Sequence, residues 1–548
     1  MNSIINNKFI WAIFSGILFS MSWPTYGFPF FIFFAFVPLL MMEQEISIHK
    51  SRFSGTKVFA YSFVAFFIWN AIVYHWLFMS EERKWAAYLL PLFPNSILMA
   101  SVFWIFHKVK MKVGTLYGLF FFPCIWISFE YIHLNWELNW PWLNLGNVFA
   151  KYHQFVQWYE FTGSFGGTLW VLLVNIMVFY FWKAWLVSRK KIYIKKMGFY
   201  FLFAVLIPSI ISLLMYYNFN EKGNDSINVV LVQPEVDPYN EKYERDSLDL
   251  ASEIINLADK GIDTETDFIV APETAIPGKG NFNLNALNSS FLLNGMKNHY
   301  LNTKISIITG IELEQQYAKQ SEIKKSSFLH PYRNVWMDIY NSTIQINTKD
   351  TVQIYHKSKL VPGVEGGFPF YSTLKKVFGE NLLDFGGTTI SLGVSEKVKV
   401  FKNSFNKAII APTICYESVF GEKTAEFVLK GANAIFVSTN DSWWQNSQGH
   451  KQLLVYAKLR AIENRRDVAR SANSGVSCFI NQRGDITSFL PYQTQGFLKG
   501  KMKLNNEKTF YTKYGDYIAR IALLFMSFVI AYYFSMLILA ILNRTKKP

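Results

Sequence analysis

The sequence predicts two joined parts: a polytopic α-helical membrane domain of eight spans, and a globular α/β domain. Three observations carry this. Long apolar runs crowd residues 1–217 and recur at 519–542, whereas 220–515 has the mixed composition of a domain with its own core. Within 220–515, short β-branched runs alternate with helical stretches. Basic residues gather in alternate loops between the apolar runs, as topology demands of a multi-pass chain.

The apolar runs lie near 9–22, 28–42, 58–79, 86–106, 114–130, 166–187, 198–217 and 519–542. The first lacks the basic start and small-residue cleavage site of a secretory signal, and it runs through Trp23-Pro24 into another apolar stretch, so it reads as a span. Lys50, Arg52 and Lys57 follow the second run, and Lys108, Lys110 and Lys112 the fourth. Arg189, Lys190, Lys191, Lys195 and Lys196 follow the sixth, and Arg544, Lys546 and Lys547 the last. The alternate loops are poor in basic charge; Arg83 and Lys84 stand beside Glu81 and Glu82. Both termini are therefore expected in the cytoplasm and residues 220–515 outside it. Much of the formal net charge of +15 is topological, and a nucleic-acid partner is not expected.

Residues 131–165 crowd Trp136, Trp140, Pro141, Trp142, Tyr152, Trp158 and Tyr159 together. Two readings stand open: an aromatic belt at the membrane surface, or an amphipathic arm lining a lipid entry path. Both put the segment at the interface.

In the α/β domain, 227–232, 268–270, 305–309, 343–346, 352–355, 408–411 and 434–437 read as strands, and 248–258 and 451–464 as helices. Asn347-Thr348-Lys349-Asp350 reads as a hairpin turn. Several strand runs are almost wholly apolar, which suits strands covered on both faces, hence an α/β or layered α-β-β-α domain. Residues 313–335 are polar and carry no assignment.

The chemistry sits just after the strands, where ligand sites of α/β sheets gather. Strand 268–270 runs through Ala271-Pro272 to Glu273, 408–411 runs on to Cys415, and 434–437 leads to Asn440 and Asp441; Lys357 lies just past a hairpin strand. A thiol needs a base to become a strong nucleophile near neutral pH. Glu273 can take that proton if burial raises its pKa toward neutrality. Lys357 can stabilise the thiolate and the oxyanion of a tetrahedral intermediate, with the Tyr416 N–H as a second donor. Of the other cysteines, Cys124 lies in an apolar run and Cys478 in a strand-like stretch, both reading as packing. A Cys415–Cys478 disulfide would abolish this chemistry, and the sequence leaves that pairing open. No Cys/His spacing resembles a zinc site, so no metal and no cofactor is expected.

Val270-Ala271-Pro272-Glu273-Thr274, Tyr355-His356-Lys357, Leu360-Val361-Pro362 with Glu365, and Ile414-Cys415-Tyr416-Glu417 resemble the Glu-Lys-Cys motifs of the carbon–nitrogen hydrolase (nitrilase) superfamily. Further matches are Tyr340-Asn341-Ser342, Asn440-Asp441-Ser442-Trp443-Trp444, Arg460-Ala461-Ile462-Glu463 and Arg470 to Gly475. With Asn139-Trp140-Pro141-Trp142, Gly146, Thr162-Gly163 and Gly166, the chain resembles, nearly end to end, the membrane branch of that superfamily, the bacterial apolipoprotein N-acyltransferases.

The resemblance implies membrane spans over 1–217 and 519–542 flanking an extracytoplasmic nitrilase-like α-β-β-α sandwich at 220–515, in the bacterial inner membrane. It implies a ping-pong reaction at Glu273, Lys357 and Cys415. The acyl donor would be a phospholipid, phosphatidylethanolamine, and the acceptor the N-terminal amine of a diacylglyceryl lipoprotein. By the same resemblance Glu365 and Glu417 orient Lys357 or the incoming amine, and Tyr416 and Trp443 shape the pocket. Asn440 holds backbone near the nucleophile, and Tyr243 stands where the family often carries Trp. Pro362-Gly363-Val364-Glu365-Gly366-Gly367 departs from the family's usual Pro-Phe-Gly-Glu but keeps the glutamate's spacing. Two rivals remain: a membrane-tethered amidase acting on a small amide, and a non-catalytic lipoprotein-binding protein.

Overall fold

The computed structural model describes residues 7–49, 51–80, 84–278, 282–330, 332–366 and 391–545. Lys50, Glu81, Glu82, Arg83, Gly367, Lys546 and Lys547 lie outside the described residues. The N-terminal part is helical: α1 (Lys8–Ser22), α2 (Pro29–Ile48), α3 (Ser54–Met79), α4 (Lys84–Val113), α5 (Thr115–Leu134), α6 (Ser164–Ser188) and α7 (Lys191–Asn218). One more apolar helix, Tyr517–Thr545, closes the chain. Among the described residues, seven helices are long and apolar enough to cross a membrane, which makes this a multi-pass membrane protein. The exception is α1, whose 15 residues rise only about 22 Å against a hydrocarbon core of about 30 Å. It ends where Trp23 turns extended ahead of Pro24.

Aromatic rings fill the bundle. Phe19 stacks on Trp69 at 4.5 Å, and Phe36 meets Trp126 edge-on at 4.8 Å. Lys110, one of the loop lysines, is instead buried and ion-paired with Glu43, which also meets His107 at 2.7 Å. Such pairing is how ionisable groups persist inside a helical bundle.

Much of residues 131–165 is packed inside the protein, while Trp136, 38% exposed, and Leu138 and Trp140 line a cavity that also reaches α4. The segment forms 3-10 helices at Pro141–Leu143 and Leu145–Val156 and a short turn at Tyr159–Thr162, most of it buried. On one side Glu130 accepts from Leu145 N at 2.9 Å and from Thr168 Oγ1 at 2.8 Å. On the other, Tyr456 donates its hydroxyl to the Trp142 carbonyl at 3.0 Å, and Arg465 donates to the Gln157 side chain at 2.7 Å. The segment is a buried plate joining the bundle to the α/β domain. Its rings find a packed protein surface there, and the indole of Trp142 finds an acceptor in Gln452.

The α/β domain contains two sheets. The first has the order β13 (Gly496–Leu504), β1 (Asp225–Gln233), β2 (Phe268–Val270), β3 (Ser306–Tyr317), β5 (Trp336–Ile346), β4 (Phe328–Leu329), with β6 (Gln353–His356) also on β5. The second runs β12 (Ile486–Leu490), β11 (Ser477–Ile480), β10 (Val468–Ala472), β9 (Ala434–Thr439), β8 (Ile409–Ile414), β7 (Phe401–Lys402). In each, the three inner strands β1-β2-β3 or β8-β9-β10 are parallel, so their C-terminal ends share one edge. The sheets face each other: Phe268 meets Phe436 at 5.4 Å, and Ser438 Oγ donates to the Ala271 carbonyl at 3.0 Å.

Helices cover the outer faces, giving the expected α-β-β-α sandwich. On the first sheet, α8 (Ser247–Asp259) is capped by Asp246, which accepts from Leu248 N, and buries Leu250, Ile254 and Leu257 at helical spacing beside α9 (Phe291–His299). On the second lie α10 (Gly421–Leu429) and α11 (Gln448–Asn464). Almost every residue of α11 is buried, because the sheet covers one side and the 131–165 plate another. The closing helix Tyr517–Thr545 is α12.

The hairpin turn at 347–350 forms: Asn347 Oδ1 accepts from Lys349 N at 2.9 Å and Asp350 N at 2.7 Å. The unassigned 313–335 stretch holds the end of β3, a 3-10 turn and β4. Within it Glu314 pairs with Arg333 at 3.2 Å.

Candidate active site

Glu273 sits three residues past β2, on a turn whose next residue, Thr274, has φ +46°. A non-glycine residue there is strained and needs support. Gly310 of β3 supplies it. Its N–H donates to the Pro272 carbonyl at 3.0 Å, and a Cβ at 310 would stand 2.3 Å from Thr274 N. Cys415 follows β8 directly, also left-handed at φ +47°, and opens a 3-10 turn that leaves Tyr416 N–H without an intrahelical acceptor. Glu417 clamps that turn through Ile414 N at 3.0 Å.

Lys357 leaves β6 and reaches back between two carboxylates, with Nζ 2.8 Å from Glu273 Oε1 and 2.7 Å from Glu365 Oε1. Asn341 Nδ2 donates to the same two oxygens, at 2.8 and 2.9 Å. The second Glu273 oxygen accepts from Asn440 N at 3.1 Å. Glu273, Lys357 and Cys415 are all buried, and the charges of the first two act on the Cys415 thiol, which also shares a hydrogen bond with Thr439. All three cysteines are free thiols.

The electrostatics differ from the expected base. Burial pushes the Glu273 carboxyl up, but the Lys357 ammonium, hydrogen bonds from Lys357 and Asn341, and the Lys242 charge together hold it below its ordinary range. Burial lowers Lys357, but Glu273 and Glu365 outweigh it and hold the ammonium charged. Burial, then the Glu273 charge, push the Cys415 thiol well up. The resting site is thus a neutral thiol beside a tight carboxylate–ammonium pair.

The remaining predicted residues separate into wall and scaffold. Tyr243, Glu365 and Trp443 line a cavity with Glu273, Lys357 and Cys415. Glu417, expected to orient Lys357 or the amine, is fully buried away from that cavity. It accepts from Tyr355 hydroxyl at 2.7 Å, Ser358 N at 2.6 Å and Lys359 N at 3.3 Å, fixing the backbone just after Lys357. Tyr416, expected in the pocket wall, instead donates its hydroxyl to the Asn139 carbonyl of the plate at 2.9 Å. Asn440, expected to hold backbone near the nucleophile, accepts from Ser442 N at 3.3 Å through Oδ1 and donates its own N–H to Glu273. Asn341, Thr439 and Lys242 were not singled out as site residues. Asn341 had a signal in the Tyr340-Asn341-Ser342 match; Lys242 had only its place before Tyr243.

The cavity, about 1270 Å³, does not stop at the sandwich. It continues past Trp136, Leu138 and Trp140 to Ala87, Leu90 and Leu98 of α4. It exceeds the about 300–1,000 Å³ of drug-sized sites and opens along a membrane helix.

Fold and site define a class: a polytopic membrane protein carrying an α-β-β-α sandwich around a buried thiol–carboxylate–ammonium cluster. A carbon–nitrogen hydrolase model matches residues 231–510, more than half of the chain, and the chain belongs to that family. Residues 15–177 match the apolipoprotein N-acyltransferase N-terminal domain. Among curated proteins, apolipoprotein N-acyltransferase of Chlorobaculum tepidum is 25% identical, covering 95% of this chain and 96% of that one. The protein of the same name from Geobacter metallireducens is 22% identical, covering 94% of each. Among solved structures, Saccharomyces cerevisiae Nit3, a member of branch 10 of the nitrilase superfamily, is 16% identical with a TM-score of 0.35, over 51% of this chain and 91% of that one.

Proposed function

We propose that this protein is an apolipoprotein N-acyltransferase of the bacterial inner membrane, with residues 220–515 on the extracytoplasmic side between spans at 1–217 and 519–542. The observation that carries the reading is the cavity running from Cys415 to the apolar face of α4, because it lets a lipid ester reach the thiol without leaving an apolar path. In the first half-reaction the Cys415 sulfur attacks the sn-1 ester carbonyl of a phospholipid, phosphatidylethanolamine. The thiol proton passes to Glu273 as the S–C bond forms, and Lys357 and Tyr416 N–H stabilise the oxyanion. The ester C–O bond then breaks, the leaving oxygen takes the proton from Glu273, and a lysophospholipid departs.

In the second half-reaction the α-amine of a diacylglyceryl-cysteine attacks the thioester. The C–N bond forms and the C–S bond breaks. Glu273 takes a proton from the amine and returns it to the sulfur. The apolar cavity keeps water from the thioester between the two steps. A small-amide hydrolase needs none of this lipid-facing volume.

Purified protein is incubated with labelled phosphatidylethanolamine, then with a diacylated lipopeptide, and followed by mass spectrometry. An acyl mass should appear on the Cys415 peptide and then move to the amine. An acyl mass on another cysteine, or ammonia release from small amides without any acyl-enzyme, would refute the assignment.

A further inference from the structure

Lys242 is the second ammonium of the site, and it is handled unlike the first. Lys357 is held by two carboxylates. Lys242 is 4% exposed, yet among the described residues no carboxylate forms an ion pair with it, and no hydrogen-bond acceptor meets its Nζ. Two rings flank it instead, Tyr243 at 5.7 Å and Trp443 at 5.8 Å from Nζ. Both rings and the lysine line the active-site cavity. Burial lowers its pKa to about 8, and the charges of Glu273 and Glu312 act against that. A buried ammonium with no carboxylate in direct contact is costly unless a ligand supplies that contact.

The cavity restricts what that ligand can be. Its apolar end lies against α4, so an acyl chain whose carbonyl meets Cys415 points that way. The rest of the donor must then face the wall built from the segment between β1 and α8, which carries Lys242. In a phospholipid, the anion a few bonds beyond the ester is the phosphodiester. We propose that Lys242 binds the phosphodiester of the acyl donor and so distinguishes donor from acceptor, whose diacylglyceryl group carries no phosphate. This rests on the acyltransferase reading above.

The test compares acylation of Cys415 by phosphatidylethanolamine and by phosphate-free diacylglycerol, by mass spectrometry, in the full-length protein. The wild type should prefer the phospholipid. That preference should fall roughly ten- to a hundredfold in Lys242→Met, the loss expected of one charge-assisted hydrogen bond, and return in Lys242→Arg. A preference unchanged in Lys242→Met, with both rates lowered together, would overturn the proposal and assign Lys242 to the thiol or the fold. Competition by millimolar inorganic phosphate would reassign it to a free-anion site. Absence of any acyl mass on the wild type would sink the acyltransferase reading itself.

Discussion

The two walls of the cavity are built on opposite rules. On the sandwich side, Glu273, Lys357, Asn341 and Glu365, from the turn after β2, the end of β6, the middle of β5 and the loop after β6, exchange hydrogen bonds within 2.7–2.9 Å. On the membrane side, Ala87, Leu90 and Leu98 offer only apolar surface and no directional contact. Groups locked by hydrogen bonds hold a reaction geometry to tenths of an ångström, whereas an apolar wall sorts ligands by volume alone. Changes on the first wall should therefore strike turnover, and changes on the second should strike the choice of chain.

The largest effects belong to the polar wall. On the proposed mechanism, Cys415→Ala removes the acyl-accepting atom and Lys357→Ala the oxyanion's cation, and each should lower acyl transfer by at least about 10³-fold. Lys357→Ala also leaves Glu273 and Glu365 facing each other without a cation, at a cost of about 3–5 kcal/mol in unfolding experiments. Wild-type turnover in either purified variant would erase the distinction between the walls. Next comes Gly310→Ala, which touches no substrate. Its Cβ would meet Thr274 N at 2.3 Å and the Pro272 carbonyl at 2.5 Å, forcing the Glu273 turn to shift. Turnover should fall about 10²-fold with little change in lipid KM. An equal loss in affinity would mean the turn also shapes the lipid path.

On the apolar wall, Ala87→Phe should spare short-chain donors and slow long-chain ones by about tenfold, the scale of a few methylenes of pocket volume. Equal slowing of all chains, measured by competition between labelled donors, would show that this wall acts on the chemistry. The smallest effect lies outside both. Burial raises the Glu463 carboxyl of α11 from 4.5 to about 7, although Arg460 partly offsets it. Because its folded pKa is the higher one, its contribution is complete below about 4.5 and is lost as pH rises through about 7. Glu463→Gln should flatten that part of the Tm-against-pH curve, and an unchanged slope would place the titration elsewhere.

Much of this was legible in the chain. The spans appeared as apolar runs, and β1, β2, β8 and β9 as runs too apolar to be anything but doubly covered strands. Glu273, Lys357 and Cys415 followed strand ends in recognisable motifs, and the structure brings all three to one cavity. The edge strands β12 and β13 were not legible. Ile-Thr-Ser-Phe-Leu at 486–490 and the lysine-rich 496–504 segment have partly exposed faces, and only pairing with β11 and β1 makes them strands. The roles of Glu417 and Tyr416 were also out of reach, since each makes contacts 58–277 residues away, as Tyr416 does on Asn139.

By itself the sequence determined the division into bundle and sandwich, and which residue types could perform acyl chemistry. Those follow from periodicity and residue chemistry, which are local. Tertiary structure alone decided that the aromatic 131–165 segment packs its core between bundle and sandwich and turns Trp136, Leu138 and Trp140 onto the cavity, because burial depends on what packs against it. It also decided that Glu273 is held ionised instead of poised near neutrality. A carboxyl's pKa is the balance of burial against specific neighbours, and here Lys357 and Asn341 arrive from strands far along the chain.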